Sequence, residues 1–134
     1  TYNVSFKGIS NAQDLSLKET SGRVVFINHW ATWCPPCRAE MPSLNKLYAD
    51  YKDKVAFIFL TDESKNVVEK YYHSKNFDFP TYNLVSRLPD EINTTSLPAT
   101  FILDKQGKVS LEEFGASDWN SNKVRETLDQ LLAE

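Results

Sequence analysis

The chain has 134 residues, 41% of them hydrophobic and 25% charged, a balance that suits one soluble domain spanning residues 1–134 with a core of its own. Fifteen basic residues against 18 acidic ones give a net charge of -3, which leaves no electrostatic footprint for nucleic acid and no attraction to an anionic membrane. No apolar run approaches the roughly 20 residues of a membrane-spanning helix. The first residue is Thr1 and no signal peptide is present, so the chain is expected to be a mature form or an excised domain of a longer precursor.

Strand and helix patterns alternate along the chain. The run RVVFINHW, Arg23 to Trp30, is rich in β-branched and aromatic residues and predicts a buried strand. From Pro35 the texture becomes helical, with Met41, Leu44, Leu47, Tyr48 and Tyr51 at helical spacing. Pro35 or Pro36 suits the first turn, where no N–H partner is lost, whereas Pro42 is expected to kink the helix. VAFIFLT, Val55 to Thr61, reads as a second strand, and Val67, Val68, Tyr71 and Tyr72 mark a second helix. FDFPTYNLV can hold a short strand, and LPDEINTTSLP is a polar connection with room for a helical turn. ATFILD and KVSLEEFG are predicted to pair as a hairpin around DKQG. Val124, Leu128, Leu131 and Leu132 form the apolar stripe of a terminal helix that Asp118 or Ser121 can cap. The expected architecture is an α/β fold with mixed strand directions, covered on both faces.

Both cysteines lie in NHWATWCPPCRAEMP, Asn28 to Pro42. A structural zinc site needs four ligands, and one C-x-x-C pair with only His29 and His73 elsewhere supplies half of one, so no metal site is expected. A stabilising bridge is poorly motivated too, because the effect of a disulfide grows with the loop it closes and this loop is minimal. A dithiol that opens and closes fits better. Cys34 falls just outside the first helical turn, where the helix dipole favours a thiolate, and Cys37 follows one turn later, able to attack a mixed disulfide formed at Cys34. Pro35 and Pro36 donate no N–H to the Cys34 sulfur. A moderate rather than extreme stabilisation of the thiolate is therefore expected, hence a reducing couple.

WATWCPPC with SLPATFILDKQGKV downstream resembles the thioredoxin superfamily, specifically its extracytoplasmic TlpA/ResA-like branch, from about Val24 to the end. The resemblance implies a thioredoxin fold, a central mixed sheet flanked by helices, with an added strand and helix before a cis-proline loop. It also implies a thiol–disulfide oxidoreductase of exported proteins such as apocytochrome c, in the bacterial periplasm or an equivalent compartment, either free or membrane-anchored through a segment absent from this chain. No cofactor is expected beyond the redox-active Cys34–Cys37 pair. The partners expected are disulfide-bearing or dithiol proteins and an upstream electron-donor protein, with the domain itself monomeric. By the same resemblance Cys34 is the exposed nucleophile, Cys37 the resolving thiol and Glu40 a proton exchanger. Trp33, Pro35, Leu97, Pro98 (the cis-proline) and Gly115 would contact the partner.

Two departures stand out. The buried aspartate of thioredoxin falls at Asn28, which does not titrate, so its proton-relay role passes to Glu40 or water. The usual aromatic after it is His29, either a basic ring that lowers a thiol pKa or a core histidine satisfied by hydrogen bonds. Glu40 has a bland reading as a first-turn charge favourable to the helix, and Gly115 as a residue that permits a tight turn. A thioredoxin-fold peroxidase would press Thr32 and Cys34 into service. A copper metallochaperone using the paired thiolates, with His29 as the available histidine, or a non-catalytic binding module, is the alternative outside disulfide exchange.

Overall fold

The computed structural model describes residues 4–134, so Tyr2, Asn3 and the Thr1 terminus lie outside the described residues. Its strands are β1 (Ser5–Ser10), β2 (Leu15–Ser16), β3 (Val25–His29), β4 (Ala56–Leu60), β5 (Thr81–Leu84), β6 (Ala99–Leu103) and β7 (Val109–Phe114). The helices are α1 (Pro35–Tyr51), α2 (Lys65–Lys75) and α3 (Asn122–Ala133), with 3-10 turns at Leu17–Thr20 and Asp90–Ile92. All seven strands form one sheet in the order β2-β1-β5-β4-β3-β6-β7. β3, β4 and β5 run parallel, while β1, β6 and β7 are antiparallel to their neighbours. The expected mixed sheet is present, and α2 with β5 forms the added helix and strand ahead of the Leu97–Pro98 loop.

Two rules of chain geometry place the helices. The crossovers β3–α1–β4 and β4–α2–β5 step in the same direction along the sheet, so right-handed connections put α1 and α2 on one face. Met41, Leu44 and Leu47 of α1, Val68 and Tyr72 of α2, and Val124, Leu128 and Leu131 of α3 share one buried cluster with Phe26, Phe57 and Phe59. The opposite face is closed by the 3-10 turns and loops rather than by a helix: Leu17, Leu88 and Ile92 pack there on Val25, Ile27, Ile58 and Phe101. Alternation along β3 thus sends Phe26 and Asn28 toward the helices and Ile27 and His29 the other way.

Helix ends follow local chemistry. Pro35 and Pro36 occupy the first two positions of α1, Ser64 caps α2, and Ser121, not Asp118, caps α3 by accepting the Val124 N–H at 3.3 Å. The helix α1 continues unbroken past Pro42. Pro42 and Arg38, whose carbonyl loses its helical donor, both lie on the exposed side, where solvent can satisfy that carbonyl. Residues before Val24 carry a hairpin, β1 with β2, that the sequence pattern does not announce.

Within that hairpin Gly8 sits where β1 shifts register against β5. A Cβ built on Gly8 runs into the carbonyl oxygen of Ala12. Gly8→Ala is therefore expected to lower stability by about 1–3 kcal/mol through a backbone clash, read as a lower urea midpoint, with disulfide chemistry at the remote Cys34 unchanged.

Candidate active site

Sheet register builds the site. The pairing of His29 with Ala99 and of Ala99 with Phe114 brings the carboxyl end of β3, the start of β6 and the end of β7 together at one edge. The loop leaving β3 leads directly into α1, so Cys34 is the N-cap of that helix and Cys37 lies in its first turn. The two are joined in a disulfide with Cα atoms 5.2 Å apart. Cys37 N–H donates to Cys34 Sγ at 3.3 Å, and neither proline can add a second donor. The exposure is graded but small: Cys34 is 3% exposed and Cys37 fully buried. Cys34 is thus covered more closely than an openly exposed nucleophile would be; Pro35 and Pro36 stand exposed beside it.

Beneath the disulfide lies a buried polar network. Glu40, one turn after Cys37, is 2% exposed. Its Oε2 accepts from Asn28 Nδ2 at 3.0 Å, and its Oε1 accepts from Trp119 Nε1 at 2.8 Å and from Ser117 N–H at 3.3 Å. Asn28 Nδ2 also donates to Thr100 Oγ1 at 2.9 Å. Glu40 is therefore in the second turn of α1, and the reading of it as a first-turn surface charge does not hold: its side chain projects inward to the sheet. Burial pushes its carboxyl pKa up, while the donors from Trp119, Asn28 and Ser117 pull it back. Glu40 also lines a cavity of about 590 Å³ with Pro42, Lys46 and Ser117, a path by which water can approach it.

The neighbouring residues divide into those at the rim and His29, which is buried at the inner wall of the cavity that Trp33 and Leu97 line. The Leu97–Pro98 bond is cis. Gly115 N–H donates to the Pro98 carbonyl at 2.9 Å, so the two residues are held side by side. Gly115 has φ of 94°, a left-handed backbone that favours glycine, and open space where a Cβ would stand. Trp33 is 66% exposed, and with Leu97 it lines a second cavity of about 630 Å³. His29 is buried: its Nε2 lies 3.1 Å from the Ile92 carbonyl and its ring meets Phe101 edge-on. Burial lowers its pKa against that hydrogen bond, so it is the satisfied core histidine of the two readings. Thr32 Oγ donates to Glu63 Oε2 at 2.6 Å, away from any peroxidatic use at Cys34.

Trp119, Ser117, Thr100 and Glu63 were not legible as parts of this region. Trp119 reaches Glu40 across 79 residues, and a tryptophan ahead of a helix carries no local mark of such a contact. Among the described residues no group of three or more His, Cys, Asp or Glu side chains is placed to hold a metal ion, and no helix is long and apolar enough to cross a membrane.

A central mixed sheet, a C-x-x-C disulfide capping a helix and a cis-proline at the entry to β6 define a thioredoxin-like domain. The Redoxin family matches residues 3–131, and the chain belongs to that family. It is 34% identical over 109 residues to the thioredoxin-like protein YneN of Bacillus subtilis, covering 78% of this chain and 64% of that protein. It is 38% identical over 98 residues to the thiol-disulfide oxidoreductase ResA of Bacillus anthracis, covering 71% of this chain and 57% of that one. The chain thus spans less than two thirds of the length of these curated relatives. A secreted thiol-disulfide isomerase from Corynebacterium glutamicum superposes with a TM-score of 0.75 at 18% identity, covering 99% of this chain and 85% of that one, which supports the fold.

The two buried titrating groups set opposite pH slopes. Glu40 holds its proton to higher pH when folded, so its ionisation costs stability as pH rises from the ordinary 4.5 through its raised value. His29 resists protonation when folded, so stability is lost as pH falls below the ordinary 6.5. Urea midpoints measured across this range are expected to lose the first slope in Glu40→Gln and the second in His29→Phe. Trp119→Phe, which removes one donor from Glu40, is expected to cost about 1–3 kcal/mol and to steepen the Glu40 slope.

Proposed function

We propose that the protein is a thiol–disulfide oxidoreductase that reduces disulfides of exported proteins, apocytochrome c among the fitting substrates, with Cys34 and Cys37 as its electron carrier. The observation that carries this reading is the disulfide seated on the N-terminus of α1, next in sequence to the exposed Trp33 and in the buried cluster against which Leu97 packs. The names of the relatives support the reaction class, and the secreted structural neighbour supports an extracytoplasmic setting, the bacterial periplasm or its equivalent.

The cycle balances as follows. The Cys34 thiolate attacks one sulfur of the partner disulfide, forming a mixed disulfide and expelling the other sulfur as a thiolate that takes up a proton. Cys37 loses its proton and attacks Cys34 Sγ, closing the Cys34–Cys37 bond and releasing the second partner sulfur, also protonated. Two electrons and two protons pass to the partner. A dithiol electron-donor protein restores the reduced pair by the reverse steps. Glu40, buried one turn below Cys37 with a raised pKa, is suited to hold the Cys37 proton in transit. Trp33, Pro35, Leu97, Pro98 and Gly115 form the surface presented to an extended partner segment.

Copper carriage is less well supported, because it needs a histidine beside the thiolates. His29 Nε2 is engaged by the Ile92 carbonyl, on the face of the sheet opposite Asn28 and Glu40.

Cys34→Ser is expected to abolish reduction of insulin disulfides by the protein with dithiothreitol, and Cys37→Ser to accumulate mixed disulfides visible on non-reducing gels. Equal absence of trapping in both variants would sink the assignment, and trapping by Cys34→Ser alone would reverse it. The couple is expected to be reducing, close to thioredoxin and about 150 mV below the strong exported oxidants. Cys34 Sγ has one amide donor, His29 is kept neutral by burial, and an ionised Glu40 opposes the thiolate. Equilibration with glutathione is the measurement: a pair that stays oxidised until strong dithiols are added agrees, and a pair fully reduced in excess oxidised glutathione refutes the argument.

A further inference from the structure

We infer that Glu63 is a positioning residue for disulfide exchange: its carboxylate clamps the Thr32 peptide and thereby fixes Trp33 and Cys34 for the incoming partner. The inference rests on the exchange reading above and adds a residue that takes no part in the electron transfer.

The geometry is a two-sided grip. Thr32 N–H donates to Glu63 Oε1 at 2.7 Å and Thr32 Oγ donates to Glu63 Oε2 at 2.6 Å, so both carboxylate oxygens hold one residue. On the other side Arg38 Nη1 donates to the Thr32 carbonyl at 2.9 Å. Glu63 is itself anchored. Thr61 Oγ donates to Oε1 at 3.2 Å, and Asn83 Nδ2 donates to the carbonyls of Thr61 and Glu63 at 2.7 and 3.0 Å. The clamp therefore links the end of β4 and β5 to the three residues between buried Trp30 and the N-cap Cys34.

What makes the clamp matter is Trp33. At 66% exposed, this side chain has little packing to set its direction, so its place depends on the backbone that carries it. Trp33 forms a wall of the 630 Å³ cavity opposite Leu97. A loosened Thr32 peptide would move that wall and the Cys34 N-cap together, and misplacement of about 1 Å is enough to cost a reaction dearly. A purely local purpose for Glu63 is already met by its neighbour, because Ser64 caps α2. Charge alone would not need two short bonds to a neutral residue.

The test uses the full chain and two probes: insulin, with dithiothreitol as reductant, and the small disulfide dithionitrobenzoate, mixed with pre-reduced protein from which the dithiothreitol has been removed. Glu63→Ala is expected to raise KM for insulin about five- to tenfold with kcat changed by less than about threefold, and to leave the small-disulfide rate within about twofold. Glu63→Gln is expected to restore KM, since its Oε1 can accept from Thr32 N–H and its Nε2 can donate to Thr32 Oγ. Thr32→Val, which keeps only the amide bond, should fall between. An unchanged KM in Glu63→Ala overturns the inference. A glutamine variant as impaired as alanine assigns the effect to charge and overturns it too. Parallel losses toward both probes, tracking a lower unfolding midpoint, make Glu63 merely structural. If Glu63→Ala does not fold, an unchanged KM in Thr32→Val is the overturning result. A wild-type protein inert toward both probes is a separate outcome that removes the exchange reading itself.

Discussion

The constraint on which the site depends is a carboxylate buried without a cation. Glu40 forms no ion pair among the described residues; three donors compensate it, from β3, from the segment after β7 and from the Trp119 indole. An uncompensated charge at that depth would cost several kcal/mol. The network therefore ties the helix bearing the disulfide to the middle of the sheet and to the approach to α3. Phe26 packs edge-on against Trp119 at 5.3 Å, so the indole that donates to Glu40 is also part of the apolar core. Polar and apolar cohesion meet in one side chain, and a shift of α1 against β3 would strain both.

On the other side of the same strand the arrangement is different. Asn28 and His29 are neighbours in sequence but face opposite layers, because side chains alternate along a strand. His29 belongs to the layer closed by the Asp90–Ile92 turn, and it bonds that turn directly. Its chemistry is spent on holding the second layer to the sheet. This explains why a basic residue so near the disulfide in sequence is a poor cation: its Nε2 is engaged by the Ile92 carbonyl and burial lowers its pKa.

Most of the architecture was legible because it follows from local pattern. VVFINH, AFIFL and ATFIL each give a strand, and the stripe Met41–Leu44–Leu47 gives α1, since burial imposes its periodicity on the sequence. The β1–β2 hairpin was not legible. Its first strand mixes exposed Ser5 and Lys7 with a glycine, its second is only two residues long, and pairing with β5 rather than local propensity makes it a strand. The sulfur pair was visible as a motif, and the Leu97–Pro98 loop and Glu40 through the resemblance to the TlpA/ResA-like branch. The partners of Glu40 and the grip of Glu63 were not, because hydrogen bonds spanning 12 to 79 residues leave no local signature.

One unsatisfied atom shows how the Glu40 charge shapes its surroundings. Asn28 Oδ1 is buried with no hydrogen-bond partner, an arrangement that normally costs about 1–3 kcal/mol. The reason lies in what a carboxylate can do: it only accepts, so the amide must turn its Nδ2 toward Glu40 and its oxygen away. Thr100 Oγ1 accepts from the same Nδ2, which uses the second amide hydrogen. A protonated Glu40 would reverse the demand. Its hydroxyl would donate, and a flipped Asn28 could accept through Oδ1, with the Thr100 hydroxyl rotating to suit. The orphaned oxygen is thus the counterpart of the ionised carboxylate, and burial already raises the pKa of that carboxyl. Two opposed costs act on Glu40, desolvation when it is ionised and lost donors when it is neutral. An amide flip and a hydroxyl rotation would accommodate either state and leave the backbone that carries Cys37 where it is.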